Sequence, residues 1–378
     1  MEVLVTGAKG FVGQNLCMAL NWVDGVEVYE YDIDNTTAQL AEWLQKSDVI
    51  VHLAGVNRPQ SVEDFHTGNA GFTGDICRQL TENGNSPKVI LSSSIQVDLN
   101  NPYGDSKREA EEELRSYCEQ TGAEGVVYRF KNLFGKLCRP NYNSVTATFC
   151  YNITHDLPVQ ISDPAKEIDL TYIDDVVAAI TDEIMAVNQS GFRFAEALPS
   201  HKITLGELAE KIQSFRDSRT SLIVPDFGDP FTKRLYATYL SYLDEDNFGY
   251  GLDIKSDNRG CLAEFIKSPG FGQIFVSRTK PGITRGDHFH NTKTEKFMVV
   301  EGKGIIRFRK INSDHVIEYP VEGNQFKVID IPPGYTHSIE NVGDTEMVTL
   351  FWACEMFNPD RTETYFEKVI NKPKKSDK

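Results

Sequence analysis

Short apolar runs alternate with segments of helical pattern along the first part of the chain. The first helical pattern covers residues 11–21. The apolar runs lie at residues 1–6, 26–31, 48–55, 88–94 and 125–130. Strands that alternate with helices in this way form parallel βαβ units. This part of the sequence therefore predicts an α/β fold with a doubly wound parallel sheet.

A different pattern begins after residue 251. β-rich runs recur there about every ten residues, with turn residues between them, at QIFVSRT, KFMVVEG, GIIRFRK, HVIEYPV, KVIDIPP and MVTLFWACE. That spacing is typical of an all-β sandwich or barrel. We therefore predict one domain over residues 1–246 and another over 252–370. The last residues, 371–378, predict a disordered tail.

Composition and charge limit the partners of this protein. Hydrophobic residues make up 40% and charged residues 25%, as in soluble globular proteins, and the formal net charge is −16. So acidic a surface argues against nucleic acid and against anionic membranes. The chain opens on a strand-like segment, and its seven cysteines include no C-x-x-C pair. We therefore expect a cytoplasmic protein. A homodimer is a separate expectation.

A glycine-rich turn follows the first apolar run. Gly7, Gly10 and Gly13 stand in TGAKGFVG, immediately before the first helical pattern. Glycines allow a tight turn and let a pyrophosphate approach the N–H groups at the helix N-terminus. We therefore predict a Rossmann-type dinucleotide site. The residues assigned to the cofactor are Gly7, Lys9, Gly10, Phe11, Val12, Gly13, Asp32, Leu53, Ala54, Gly55 and Lys107.

The choice between NADPH and NADH depends on two of these residues. Asp32 ends the second apolar run. A carboxylate there would bind the ribose hydroxyls of NADH and repel the 2′-phosphate of NADPH, although Asp32 could also be a turn residue. Lys9, inside the glycine turn, could reach that phosphate instead. We expect NADPH as the cofactor, with NADH also accepted.

A proton-transfer site is predicted at the start of one helix. Asn101 and Pro102 begin that helix, so Tyr103 and Lys107 lie one turn apart on the same face. A cation at that distance should lower the pKa of the phenol and make it a proton donor to a carbonyl. Ser94 or Ser93, at the end of the preceding strand, could bind the same carbonyl oxygen.

A basic stretch follows the fifth apolar run. Arg129, Lys131, Lys136 and Arg139 occur in a segment without Asp or Glu until Asp156. In so acidic a protein the segment is either a solvated face or a site for a phosphorylated ligand. We predict substrate contacts from Arg58, Asn132, Lys136 and Arg139.

A metal site is predicted in the second domain. His288 and His290 are two residues apart, so in a strand both side chains point to one face, and Glu295 can return on the next strand. His337, after a turn, could supply a fourth ligand. Three imidazoles and a carboxylate suit zinc, iron, nickel or copper, and zinc is the metal we expect.

These motifs resemble two known families. TGAKGFVG, HLAG, SSS, the Tyr103-x-x-x-Lys107 pair, RFKNLFG and YIDD resemble the extended short-chain dehydrogenases/reductases across about 245 residues. The resemblance implies that Ser94 or Ser93, Tyr103 and Lys107 are catalytic and that the substrate is a nucleotide sugar. The spacing of Gly282, His288, His290, Glu295 and Gly302, with a second motif at residues 332–341, resembles the cupin family, which implies a jelly-roll barrel.

The two motifs on one chain resemble the CapF-type enzymes of capsular polysaccharide and O-antigen synthesis. That resemblance implies two reactions on one UDP-linked 4-keto-2-acetamido-2,6-dideoxy-hexose. The cupin domain would epimerise carbon 3, and the first domain would reduce the 4-ketone to UDP-2-acetamido-2,6-dideoxy-L-talose, on the route to UDP-N-acetyl-L-fucosamine. Epimerisation must come first, because the proton on carbon 3 is acidic only while the ketone remains.

Alternatives from other classes stay open at this point. The first domain could be an inert dinucleotide fold that acts as a redox sensor or scaffold. The cupin could be an iron dioxygenase, or could bind a sugar or a structural metal without turnover. The base that removes the carbon-bound proton is not identified, and Lys296 and Tyr335 are the candidates beside the metal ligands.

Overall fold

A computed structural model describes residues 1–187, 189–311, 313–360 and 363–370. The predicted tail at 371–378 lies outside the described residues. The chain divides into two compact units, each made of two pieces of sequence. The first comprises Met1–Gln213 and Asp229–Leu243, and the second comprises Ser214–Gly228 and Asp244–Lys378. Residues 214–228, which the prediction placed in the first domain, group with the second unit.

The first unit contains the predicted parallel sheet. Its strands follow the order β2-β1-β3-β4-β5-β8 and pair in parallel throughout. Their bounds are β1 Glu2–Thr6, β2 Glu27–Tyr31, β3 Val49–His52, β4 Lys88–Ser94, β5 Glu124–Phe130 and β8 Gly191–Phe194. This order is that of a doubly wound sheet, in which ligands bind beyond the carboxyl ends of the strands. The predicted α/β class is confirmed.

Helices cover both faces of this sheet. The helices of the described residues are α1 Phe11–Leu20, α2 Thr37–Lys46, α3 Glu63–Phe65, α4 Phe72–Asn83, α5 Pro102–Thr121, α6 Val145–Thr154, α7 Ile173–Met185, α8 Leu205–Ser221 and α9 Pro230–Leu240. One face is packed against α1 and α7 and the other against α2, α4 and α5. Alternate residues of β1 pack on opposite sides, with Val3 and Val5 against α1 and α7, and Leu4 against α2 and α4. The strands are therefore buried on both faces, which explains why they appear as continuous apolar runs.

Helix α5 begins and ends at the residues that the sequence predicts. The Asn101 side chain accepts a hydrogen bond from the Gly104 N–H at 2.8 Å, and Pro102 occupies the first turn. Gly122 ends the helix with a φ of +73°. These signals fix the start of the helix, and with it the position of Tyr103.

Further elements complete this unit. A small sheet has the order β6-β7-β9, formed by β6 Asn132–Phe134, β7 Glu167–Tyr172 and β9 His201–Thr204. A π-helix over His66–Gly71 lies between α3 and α4, and a 3₁₀-helix over Ile95–Asp98 follows β4. Among the described residues, no helix is long and apolar enough to cross a bilayer.

The second unit is built from two antiparallel sheets, as an all-β barrel requires. One has the order β10-β11-β12-β19-β14-β17 and the other β16-β15-β18-β13-β20. The strands are β10 Ile254–Asp257, β11 Gly260–Ser268, β12 Gly272–Thr279, β13 Thr284–Phe289, β14 Glu295–Glu301, β15 Lys303–Lys310, β16 Val316–Glu322, β17 Val328–Ile331, β18 Tyr335–Asn341, β19 Met347–Ala353 and β20 Tyr365–Phe366. A 3₁₀-helix over Glu245–Asn247 precedes them.

The core of this unit lies between the two sheets. Phe297, Phe351 and Ile331 come from one sheet and Ile306 and Ile339 from the other, and all are buried in one cluster. The earlier piece of sequence also joins the unit, since the backbone of residues 222–224 pairs with Lys267 of β11 at 2.8 and 2.9 Å.

Candidate functional site

The glycine-rich turn connects β1 to α1 in a form that only glycine permits. Gly7 has a φ of +70°, and a Cβ there would lie 2.7 Å from the backbone nitrogen of Ala54. At Gly13 a Cβ would lie 2.2 Å from the Gly7 carbonyl oxygen. The N–H groups of residues 11–13 open helix α1, so no earlier turn of the helix supplies them with a carbonyl. The turn thus fits a pyrophosphate.

Asp32 lies beside this turn and Lys9 within it, and both side chains have partners in the protein. The Asp32 carboxylate accepts hydrogen bonds from the N–H groups of Lys9 at 2.7 Å and Ile33 at 2.8 Å. The Lys9 ammonium pairs with Asp34 at the surface. A second carboxylate therefore stands close to the position where a 2′-phosphate is expected. The contacts of Asp32 and Lys9 with a cofactor stay predictions.

The segment after β3 connects the glycine turn to the predicted catalytic helix. Leu53 and Ala54 bond back to Thr6 of β1, and a Cβ on Gly55 would lie 3.1 Å from Lys107 Nζ. Asn69, in the π-helix, holds this segment through Val56, whose N–H donates to the Asn69 side-chain oxygen at 2.9 Å. The predicted cofactor residues 53–55 and Lys107 are thus brought together.

Ser94, Tyr103 and Lys107 lie together at the carboxyl end of β4. The Ser94 side chain lies close enough to the half-buried Tyr103 phenol to lower its pKa. Lys107 is buried and donates to the Ser92 carbonyl at 3.1 Å. The Ser93 hydroxyl instead donates to the buried Glu111 carboxylate at 2.5 Å. Of the two serines that the sequence left open, Ser94 is therefore the one beside Tyr103.

Burial controls the charge of this site. It lowers the pKa of the Lys107 ammonium to about 8, while the Glu111 carboxylate, one turn further along α5, acts in the opposite direction. It also raises the pKa of the Tyr103 phenol, against a smaller lowering by Ser94. The prediction that a neighbouring cation lowers the phenol pKa is therefore wrong for this structure, because loss of hydration on burial is the largest effect and raises it.

The basic stretch proves to be largely paired with carboxylates. Arg129 donates to Glu111 at 2.9 and 2.6 Å, so it holds α5 against β5. The predicted substrate residues divide into two groups. Lys136 pairs with Asp174 at 2.6 Å, and Asn132 donates to a backbone carbonyl of β7. Arg58 and Arg139 both lie against the Tyr142 ring.

The second unit places the four predicted metal ligands in one cluster. His288 lies on β13, His290 just beyond its end, Glu295 at the start of β14 and His337 on β18. One potential ligand atom from each lies within 4.8 Å of all the others. The Nε2 atoms of His290 and His337 are 3.3 and 3.4 Å from Glu295 Oε2. Three nitrogens and one carboxylate oxygen directed to one point fit a transition metal.

The protonation states of this cluster also suit a metal. Burial, together with repulsion from His337 and His290, lowers the pKa of His288 to about 4, so the ring is neutral at working pH. Burial alone would raise the pKa of Glu295, but hydrogen bonds with His290 and His337 hold it below the usual value. Neutral imidazoles and an ionised carboxylate are the forms that bind metals.

A segment near the C-terminus orients one of these ligands. His290 Nδ1 is hydrogen-bonded to the Glu363 carbonyl oxygen, which leaves Nε2 directed toward the cluster. The Glu363 carboxylate accepts from the N–H groups of residues 291–293 at 2.8 to 3.1 Å. Such outer contacts fix the tautomer and orientation of a metal-binding histidine.

The two candidates for a carbon-acid base behave differently. Lys296 follows Glu295 by one residue, so its side chain points to the other face of β14, where it pairs with Asp330. The hypothesis that Lys296 is the carbon-acid base is therefore wrong. Tyr335 precedes His337 by two residues and contacts the core residue Phe308. Lys293, which the sequence did not single out, lies 3.0 Å from Glu295 Oε1 and is mostly buried.

Several residues at these sites carry no motif of their own. Asn69 and Glu111 support the catalytic helix, Glu363 supports a metal ligand, and Tyr142 lies beside two arginines. Glu111 alone had a sequence signal, because it continues the row of Tyr103 and Lys107 by one more helical turn. The others come into contact only through the tertiary fold.

Comparison with known proteins agrees with this division. Residues 3–190 match the NAD dependent epimerase/dehydratase family, and residues 255–365 match the polysaccharide biosynthesis C-terminal domain. A UDP-glucuronic acid 4-epimerase from Bacillus cereus, crystallised with NAD, is 19% identical and covers 64% of this chain, with a TM-score of 0.56. At this level of identity the likeness shows a shared fold.

Two relatives match nearly the whole chain. The UDP-2-acetamido-2,6-beta-L-arabino-hexul-4-ose reductase of Pseudomonas aeruginosa is 42% identical over 97% of this chain and 98% of its own length. The crystal structure of the capsular polysaccharide assembling protein CapF from Staphylococcus aureus is 46% identical, with a TM-score of 0.90 over 98% of this chain and 100% of that one. The chain therefore belongs to the CapF family, in which a dinucleotide-binding reductase unit is followed by a polysaccharide biosynthesis C-terminal domain.

Proposed function

We propose that this protein is a bifunctional enzyme that converts a UDP-linked 4-keto-2-acetamido-2,6-dideoxy-hexose into UDP-2-acetamido-2,6-dideoxy-L-talose. The second unit epimerises carbon 3, and the first unit then reduces the ketone at carbon 4. The product leads to UDP-N-acetyl-L-fucosamine for capsule or O-antigen. The observation that carries the proposal is the grouping of Ser94, Tyr103 and Lys107 beside the glycine turn, in a chain with a full-length reductase relative.

Each residue of the reductase site has a role that follows from its position. Ser94 and Tyr103 donate hydrogen bonds to the ketone oxygen and hold the carbonyl in place. Bound reduced nicotinamide supplies the hydride. As the carbonyl carbon receives it, the Tyr103 phenol gives its proton to the oxygen. Charged Lys107, buried one helical turn away, stabilises the negative charge left on Tyr103.

The epimerase site of the second unit is formed by His288, His290, Glu295 and His337 around a metal, and Zn²⁺ fits this donor set. A bound divalent metal would act as a Lewis acid near the ketone oxygen. The chain's own contribution is a largely buried set of three imidazoles, of which His288 is held neutral, and an ionised glutamate. A structural metal would use the same ligands, so the proposal needs a test of carbon-3 chemistry itself.

The cofactor, the oligomeric state and the compartment complete the proposal. NADPH is the expected reductant, because Lys9 lies beside the glycine turn. NADH is also accepted, because the charge of Lys9 is partly neutralised by Asp34. We further propose that the protein acts as a homodimer in the cytoplasm, where nucleotide sugars and reduced nicotinamide are made. Size-exclusion chromatography with light scattering tests the dimer.

The proposed function is tested by supplying the UDP-linked 4-keto sugar in deuterated water, with and without NADPH, and following the products by NMR. Without NADPH we expect deuterium to enter at carbon 3. With NADPH we expect one 6-deoxy-talose product and an equal amount of oxidised cofactor. Oxidised cofactor without deuterium at carbon 3 would reduce the proposal to the reductase alone.

A further inference from the structure

The basic stretch contains one arginine that its own surroundings do not neutralise. Arg129 is paired with Glu111, Lys131 with Asp169 at 2.6 Å and Lys136 with Asp174 at 2.6 Å. Arg139 is exposed and has no carboxylate within 4.0 Å in the part of the chain that the structure describes. Of the four basic residues in this stretch, only Arg139 therefore remains available to an anion.

A second cation from a distant part of the sequence joins it. The guanidinium carbons of Arg58 and Arg139 both lie 5.4 Å from the centre of the Tyr142 ring. Arg58 is also exposed, and among the described residues it too has no carboxylate partner. Contact with an aromatic face stabilises each guanidinium while leaving its N–H donors available to another group.

This arrangement is unusual in a chain with a net charge of −16. Carboxylates outnumber cations, and the neighbouring basic residues have each acquired one. Two like charges on one ring repel each other, and an anion that accepts from both removes the repulsion. The two guanidinium groups are thus placed to share one anion.

The position of the pair indicates which anion it serves. Arg58 lies three residues after Gly55, which is packed against Lys107 of the reductase site. The loop that carries Arg139 is fixed to α1, because the Lys136 carbonyl accepts from the Asn15 side chain at 3.2 Å. Arg58 therefore follows a segment that lies beside the catalytic lysine, and Arg139 belongs to a loop bonded to the helix that follows the glycine turn. The pyrophosphate of the cofactor already has the helix N-terminus at the glycine turn.

We propose that Arg58 and Arg139, held against Tyr142, bind the diphosphate of the nucleotide-sugar substrate. This inference rests on the proposed function. It adds Tyr142 as the residue that positions both guanidinium groups, and it removes Lys136, whose charge Asp174 already neutralises. Each guanidinium can give two parallel hydrogen bonds to phosphate oxygens, which a lysine cannot do.

The test is direct binding to the full-length protein by calorimetry. UDP, uridine and NADPH are titrated into wild type, Arg58→Gln and Arg139→Gln, with Arg78→Gln as a matched control because Arg78 is an exposed arginine on α4. We expect the Kd for UDP to rise about 10-fold to 100-fold in each clamp variant and to stay unchanged in the control. Uridine, which has no phosphate, should bind all four proteins equally, and NADPH should be unaffected.

Tyr142 needs its own pair of variants. Tyr142→Phe keeps the ring and should bind UDP nearly as wild type does, whereas Tyr142→Leu should weaken UDP about fivefold by releasing both guanidiniums. Thermal unfolding confirms that each variant is folded.

The outcomes separate the clamp from the function on which it rests. Unchanged UDP affinity in both arginine variants, equal losses for UDP and uridine, or a loss confined to NADPH would each overturn the clamp and leave the reductase standing. Wild-type protein that does not bind UDP would contradict the nucleotide-sugar function, and the clamp with it.

Discussion

The reductase site and the metal cluster are assembled by different means. Tyr103 and Lys107 come from consecutive turns of one helix, and the parallel sheet only has to bring the end of β4 beside them. The three histidines and the glutamate of the cluster come from three strands: His288 and His290 from β13 and its end, Glu295 from the start of β14 and His337 from β18. Antiparallel pairing places His288 directly opposite His337. A helix defines the first site locally, whereas the second depends on the whole barrel.

The two sites also treat charge differently. At the reductase site burial pushes both groups toward their neutral forms, which lowers the pKa of Lys107 and raises that of Tyr103. At the cluster burial keeps His288 neutral, while hydrogen bonds and Lys293 keep Glu295 ionised. The charges of the first site therefore suit proton transfer, and those of the second suit a bound cation. This contrast predicts that the two activities can be separated by mutation.

The largest effect is expected from Tyr103→Phe. Without the phenol proton, reduction should fall about 10²–10⁴-fold, because no general acid reaches the ketone oxygen. Deuterium exchange at carbon 3 should continue at the wild-type rate. NADPH oxidation and NMR measure the two activities, and Tyr29→Phe on β2 controls for loss of a hydroxyl. Loss of both activities in folded protein would contradict separate sites.

The reverse separation is expected from His288→Ala combined with His290→Ala. Metal content should drop from about one per chain to almost none, because two of four ligands are removed. Carbon-3 exchange should stop, while NADPH binding is kept. Elemental analysis and cofactor titration give the two readouts, with His315→Ala as a control at an exposed histidine. Unchanged metal content in the double variant would refute this ligand set.

A smaller effect, on the pH dependence of reduction, is expected from Glu111→Gln. This variant tests how charge is controlled at the reductase site. Lys107 is needed in its charged form, which is present below its pKa of about 8, and the Glu111 carboxylate helps to raise that pKa. Removing the carboxylate should lower it, so reduction should be lost at a lower pH than in wild type.

Besides Glu111, the titratable groups near Lys107 are Tyr103 on its own helix and His52 on β3, whose pKa burial lowers to about 3. His52 is thus neutral throughout the range of interest. A pH–rate profile measures the shift, with Glu112→Gln, an exposed neighbour on α5, as the control. A profile that does not move would mean that Glu111 acts only through Ser93 and Arg129.

The smallest effect concerns the cofactor. Asp32→Ala removes a carboxylate beside the glycine turn, so the ratio of NADPH to NADH efficiency should rise about two- to fivefold. Steady-state kinetics with both cofactors on both proteins measure the ratio, and Asp24→Ala controls for general loss of negative charge. An equal ratio in wild type and variant would show that Asp32 serves the turn through its bonds to Lys9 and Ile33.

Local signals made much of this molecule predictable. The cap at Asn101, the proline at 102 and Gly122 fix α5, and periodic apolar runs fix the strands of the parallel sheet. The two-residue period of a strand was enough to place His288 and His290 on one face. The same period already argues against Lys296, because adjacent residues of a strand point to opposite faces.

What could not be predicted depends on contacts between distant residues. Arg129 and Lys131 looked like free cations, because Glu111 and Asp169 reach them only after the sheet and helices pack. Burial of Tyr103, which reverses the expected direction of its pKa shift, is likewise a property of the folded unit. Strand β11 was missed because GCLAEFIKS mixes polar and apolar residues without strict alternation.

The interleaving of the two units has a practical consequence for dissecting the enzyme. Helix α8 passes from the first unit into the second after Gln213, and Asp229–Leu243 returns to the first. No single cut in the gene therefore yields both units whole. A fragment starting at residue 252 would lack the segment that pairs with Lys267, and one ending at 213 would lack α9. The two activities are better isolated by point substitutions than by truncation.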